Sequence, residues 1–91
     1  MMVKRVNSST AFEKDIERLA RRNKDMEKLK SIVRSLMCGE KLDQIYQDHK
    51  LTGNYYSYRE CHIESDWLLI YKYDNEALFL IRTGTHNDLF R

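Results

Sequence analysis

The chain has 91 residues, a formal net charge of +2, 42% hydrophobic and 11% aromatic residues, no proline and three glycines. This length suits one domain over residues 1–91, and this composition excludes a disordered chain and argues for few, short loops. The N-terminal MMVKRVNSST lacks the apolar segment of a secretory signal and no run approaches 18 apolar residues, so the expectation is a cytoplasmic protein without membrane contact.

Residues 2–7, MVKRVN, alternate weakly and predict a first strand. Ser8, Ser9 and Thr10 offer N-caps, with Glu13 three residues after Thr10 as in a capping box. Phe12, Ile16, Leu19 and Ala20 then mark one face of a helix. The run RRNKD at 21–25 interrupts the apolar pattern, and Asn23 or Asp25 can cap a second helix. That helix carries the stripe Met26, Leu29, Ile32, Val33, Leu36 and Met37 and closes at Gly39. The two helices should pack as an antiparallel hairpin. Leu42, Ile45 and Tyr46 suggest a short extra turn, and residues 48–54 read as loop.

From here the character changes. Residues 56–63 are rich in strand formers, with Tyr58, Glu60 and His62 on one side and Arg59, Cys61 and Ile63 on the other. Residues 64–66 form a turn. Residues 67–73, WLLIYKY, are apolar on both faces, as a central strand is, and 74–75 turn the chain into a strand over 76–82. The predicted class is α+β in the order β-α-α-β-β-β, a helical hairpin on one face of a small antiparallel sheet.

Charge is unevenly spread. Residues 1–50 hold 12 Lys/Arg against 8 Asp/Glu, whereas residues 51–91 hold 4 against 6. Arg18, Arg21, Arg22, Lys24, Lys28, Lys30 and Arg34 crowd one stretch, opposed within it by Asp25 and Glu27. Such a face either attracts a polyanion or acidic partner, or is simply solvated. Cys38 and Cys61 have no CxxC spacing and suit a reducing compartment.

His49, His62 and His86 all lie at loops or strand ends of the C-terminal half. Histidine titrates near pH 6.5, so a pair can serve as general base and general acid at neutral pH. Arg82 ends the last strand, where a guanidinium can hold a phosphate and stabilise its transition state, or can pair structurally with Asp66 or Glu64. Phe90, Tyr55 and Trp67 are candidates to stack on bases, although Trp67 on a central strand also suits the core. Arg59 joins Phe90 and Trp67 as a substrate-binding candidate. This set points to RNA cleavage by attack of a 2′-hydroxyl on the adjacent phosphate, which needs proton transfer and charge stabilisation but no protein nucleophile. No histidine pair lies at i, i+3 or i, i+4, and Cys61 and His62 point to opposite faces of a strand, so neither a metal nor another cofactor is expected.

The segments DHKLTG (48–53), YRECHIESDWLLIYK (58–72) and RTGTHNDLF (82–90), with RNKDMEKL (22–29) upstream, resemble the YafQ branch of the RelE/ParE toxin superfamily. The resemblance covers nearly the whole chain in order. It implies the family's small α/β fold and the toxin of a type II toxin–antitoxin pair: an endoribonuclease that cuts translated mRNA in the ribosomal A site. The positions it carries over are His49, His62, Asp66, Arg82, His86 and Phe90, with Trp67 beside them. His86 would protonate the leaving 5′-oxygen and Arg82 would hold the scissile phosphate. Asp66, His62 or His49 would take the 2′-hydroxyl proton or hold the group that does. The implied partners are a cognate antitoxin, mRNA and the ribosome, whose RNA the basic helices would touch. Ser65 stands where some relatives have proline, and Arg91 follows Phe90 in place of a small residue. ParE-like members, which bind DNA gyrase without cleaving RNA, are the alternative.

Overall fold

A mixed five-stranded sheet forms the middle of the computed structural model, which describes residues 2–53 and 57–90. The strands are β1 (Arg5–Ser8), β2 (His49–Lys50), β3 (Arg59–Glu64), β4 (Trp67–Asp74) and β5 (Ala77–Gly84), in the spatial order β1-β5-β4-β3-β2. Helices α1 (Thr10–Arg21) and α2 (Met26–Met37) cover one face, and a short α3 (His86–Leu89) rests on the other. The α+β class and the order β-α-α-β-β-β are as expected, with the two-residue β2 inserted where a loop was predicted and α3 added. β1 runs parallel to β5 and the remaining neighbours are antiparallel.

Local chemistry sets the helix ends. Ser9 is extended and its Oγ accepts from the Phe12 amide at 2.9 Å, so Ser9 is the cap and Thr10 is already helical. Glu13 therefore makes no box with Thr10 and accepts from Ser8 Oγ at 3.2 Å. α1 closes on Asn23, left-handed at φ 60°, with the Asn23 and Lys24 amides donating back to Ala20 and Leu19. Asp25 caps α2 through the Glu27 amide, and Gly39 at φ 71° closes it in the same way. Between α2 and β2, residues Gln44–Tyr46 form one 3-10 turn.

The main core lies under the helices. Phe12 and Leu19 of α1 and Leu29, Ile32 and Leu36 of α2 pack on Cys61, Ile63, Trp67, Leu69, Tyr71, Leu78 and Leu80. The other residues of β4, Leu68 and Ile70, are equally buried but face the opposite way, against Leu89 of α3. β4 is thus apolar on both sides because both sides are covered. Asn75 and Glu76 form the hairpin into β5, both at positive φ, one residue later than predicted.

Two irregularities re-aim side chains. Between β3 and β4 the register shifts at His62/Glu64, so that His62 stays on the open face while Glu64 pairs with Trp67 and meets Lys24 and Lys28 on the helix side. Between β4 and β5 the register shifts again, pairing Tyr71 with Leu80 but Ile70 with Arg82. Arg82 thereby leaves the helix-facing series of Leu78 and Leu80.

Candidate active site

The strand ends opposite the hairpin turn gather the histidines into a row. His49 on β2 lies 6.4 Å from His62 on β3, His62 lies 5.9 Å edge-on from His86, and His86 lies 6.4 Å from Phe90, all between ring centroids. Pairing explains the proximity: His49 stands opposite Glu60, His62 opposite Leu68, and Leu68 opposite Gly84, just before His86. The row is open. The side chains of His86 and Asp66 are 55% and 62% exposed, so a macromolecular strand can reach them.

Each outer histidine has a fixed tautomer. Asp66 Oδ1 accepts from His86 Nδ1 at 2.7 Å and from the His86 amide at 2.9 Å. A carboxylate here only accepts, so Nδ1 carries the proton and Nε2 faces outward. These two bonds, the backbone one first, hold the Asp66 carboxyl below its ordinary range. His49 Nδ1 likewise donates to the Gln47 carbonyl at 2.6 Å, which turns Nε2 toward Glu60. Glu60, buried at the root of the row, places Oε1 3.5 Å from Nε2 of both His49 and His62. The sequence showed Glu60 only as a neighbour of His62; its burial between two rings depends on β2, which had no signal.

His86 is held by a small knot. Thr85 caps α3, its Oγ accepting from the Asp88 amide while Asp88 accepts from the Thr85 amide, both at 3.0 Å. Asp88 also binds Arg22, the C-cap of α1, at 2.8 and 3.2 Å, and Arg22, foremost, drives its carboxyl well below the usual range. A Cβ at Gly84 would lie 2.8 Å from Asp88 Oδ2, so glycine there lets the carboxylate close over the chain.

Arg82 does not pair with Asp66 or Glu64. Asp66 serves His86 and Glu64 serves Lys24 and Lys28; Arg82 instead forks onto Asp15 of α1, Nε at 2.7 Å and Nη2 at 3.1 Å. Asp15 is buried, which alone would raise its pKa, but Arg82, the Thr83 amide and Arg18 hold it low. Its position three residues after Phe12 and four before Leu19 places it on the buried stripe of α1. That placement is the one signal for its role.

Two expected site residues stand elsewhere. Trp67 is fully buried and its indole donates to Thr83 Oγ1 at 3.0 Å, so it offers no surface to a base. Arg59 belongs to the face opposite His62 and lies 3.3 Å from Asp48, which also accepts from Tyr71. Tyr55 lies outside the described residues. Phe90 is exposed beside His86. Of the seven cations in the basic stretch, Arg18, Arg22, Lys24, Lys28 and Lys30 form ion pairs within the chain. Much of that face therefore pins α1 and α2 to the sheet and α3. Burial pushes the Cys61 thiol up to about 12, which removes it as a nucleophile. Among the described residues no group of three His, Cys, Asp or Glu side chains is placed to hold a metal.

Fold and site together define a small α+β toxin of a type II toxin–antitoxin system. The chain belongs to the YafQ family: the model described as "Bacterial toxin of type II toxin-antitoxin system, YafQ" matches residues 4–91. It is 40% identical over 91 residues to the mRNA interferase toxin YafQ of Escherichia coli K12, covering 99% of each chain. It superposes on YafQ in the Escherichia coli DinJ–YafQ complex with a TM-score of 0.88 at 40% identity, covering 94% of this chain and 97% of that one. A metal-bound toxin from Helicobacter pylori superposes with a TM-score of 0.89 at 35% identity, covering 99% and 100%. This kinship favours the mRNA interferase over the gyrase-binding alternative.

Proposed function

We propose that this protein, an mRNA interferase toxin of the YafQ family, cuts mRNA in the ribosomal A site by acid–base catalysis between His62 and His86. The observation that carries the mechanism is the carboxylate-held His86 facing His62 at 5.9 Å on an exposed rim. Asp66 fixes the His86 proton on Nδ1, so a protonated His86 presents Nε2–H to the leaving 5′-oxygen. Asp66 is occupied by two bonds from His86 and acts as its positioning carboxylate rather than as the base. His62 takes the 2′-hydroxyl proton, and Glu60 stabilises the imidazolium so formed, with His49 sharing that carboxylate. The 2′-oxygen then bonds to phosphorus as the bond to the 5′-oxygen breaks, leaving a 2′,3′-cyclic phosphate. Arg82, its fork oriented by Asp15, stabilises the phosphate by adding its charge to the site. Phe90 packs on a base beside His86.

Residues 1–91 act as one toxin domain in the cytoplasm, neutralised by a cognate antitoxin, as Escherichia coli YafQ is found in complex with DinJ. The cations of α1 and α2 that have no carboxylate partner among the described residues, such as Arg21 and Arg34, suit contacts with ribosomal RNA. The test is cleavage of an mRNA in a purified translation system, with and without ribosomes. Ribosome-dependent cuts ending in 2′,3′-cyclic phosphate, lost with His86→Ala, are expected. Full cleavage by His86→Ala would overturn the assignment of the acid.

A further inference from the structure

The face of the sheet that carries the histidines continues away from them, and its far half has a different composition. Tyr58 immediately precedes β3 and continues the alternating series of Glu60 and His62. Lys72 lies on β4 in the series of Leu68 and Ile70, and Phe79 is its partner on β5. Lys72 Nζ sits 5.4 Å from the ring centroid of Tyr58 and 5.4 Å from that of Phe79. Two aromatic faces hold this ammonium without neutralising it, since a ring quadrupole carries no net charge. Among the described residues no carboxylate pairs with Lys72 or with Lys50, which stands two strands away on β2. This contrasts with the basic helices, where five cations are consumed by ion pairs. A cleft of about 310 Å³ opens alongside, lined by Lys50, Ser57, Tyr58, Arg59, Lys72 and Tyr73.

We propose that Tyr58, Lys72 and Phe79, with Lys50 beside them, form a second RNA-contact subsite that holds the mRNA strand a few nucleotides from the cut. The ammonium groups of Lys72 and Lys50 meet backbone phosphates, and the half-buried rings of Tyr58 and Phe79 take a base against their exposed edges. Tyr58, just before β3, and His62 are four residues apart in extended chain, about 13 Å, so a single nucleic-acid strand lying along β3 reaches both. The carboxylates of the open face, Glu60 and Asp66, stand at the histidine end, where protons must be managed, and Lys72 stands at the other; Lys50, paired with Arg59 on the opposite face, lines the cleft from the β2 side. This assignment rests on the reading of the histidine row as a ribonuclease site.

The test uses the full chain in two arms. In the first, ribosomes programmed with one mRNA are cleaved by wild type, Lys72→Gln, Lys50→Gln/Lys72→Gln and Lys72→Arg. The double variant is expected to raise KM several-fold with kcat retained, and Lys72→Arg to restore KM. In the second, His86→Gln protein binds single-stranded RNA at several salt concentrations. Adding Lys72→Gln should lower the slope of log affinity against log salt by about 0.7, the value for one fewer neutralised phosphate. Unchanged KM and an unchanged slope, with wild-type cleavage intact, would sink the subsite while leaving the ribonuclease reading in place. A double variant that loses affinity for empty ribosomes as strongly as for programmed ones would overturn the mRNA assignment in favour of ribosomal RNA. No cleavage by wild type would take down the ribonuclease reading and the subsite with it.

Discussion

The two faces of one sheet divide the labour of this protein. The helix side is dry and interlocked, with Leu19 and Leu36 set against Trp67, Leu69 and Tyr71, all almost without exposure. The open side has a small apolar patch of Leu68, Ile70 and Leu89, and around it histidines, lysines and aromatic rings at the surface. Neighbours in sequence fall on opposite sides of this division: Asp66 positions His86, whereas Trp67 is core. Sequence proximity to a reactive group therefore says little about function here, and the face a residue belongs to says much.

Substitutions on the two faces should have opposite effects. His86→Ala should lower mRNA cleavage by about 10²–10⁴-fold, the usual contribution of a general acid, while chemical denaturation shows stability within about 0.5 kcal/mol of wild type. Trp67→Ala should do the reverse, costing about 3–5 kcal/mol of stability through its cavity; a stable Trp67→Ala protein with selective loss of cleavage would place the indole in the site after all.

Acid should act on the carboxylates that tie the faces together. Asp15, Glu64, Asp66 and Asp88 all titrate below their ordinary values in the folded chain. The unfolded chain then takes up protons first as pH falls, near about 4. Their stabilisation is thus complete above about pH 5 and lost as pH falls through the depressed folded values. Thermal melts from pH 6 down to pH 2 should show a declining Tm, less steeply in Asp88→Asn; an identical slope would remove Asp88 from the set. The smallest expected effect is at the cap of α3. Thr85→Ala should cost about 1 kcal/mol and lower kcat through His86 while sparing the core, read as unchanged near-ultraviolet circular dichroism.

The elements with strong periodicity were legible in the sequence. The stripes of α1 and α2, the doubly apolar β4 and the approximate turns were read from residue spacing, and the histidines were picked out by type. What escaped was set by long-range pairing. β2 has two residues and exists because β3 lies beside it, so the relation of His49 to Glu60 had no local sign. The fork of Arg82 on Asp15 joins residues 67 apart, and the register shift that turns Arg82 away from Leu80 leaves the alternation of β5 unmarked. α3 did have a signal, Thr85 three residues before Asp88, but four residues of helix carry too little periodicity to stand out from a loop.

The parallel pairing of β1 with β5 has a kinetic consequence. Arg5 lies opposite Ala77, so this edge of the sheet closes across 72 residues of chain. Such a contact incurs its loop-closure entropy before it gains any stabilisation, and topologies rich in such contacts fold slowly. β5 is also the strand that delivers Arg82 and, beyond Gly84, His86. The β3-β4-β5 meander that brings His62 beside His86 is built from hairpins close in sequence, whereas the fork of Arg82 on Asp15 joins residues 67 apart and needs α1 docked on β5. The histidine row and the arginine fork thus depend on contacts of different range, the first assembled within the C-terminal half of the chain and the second only across the whole of it.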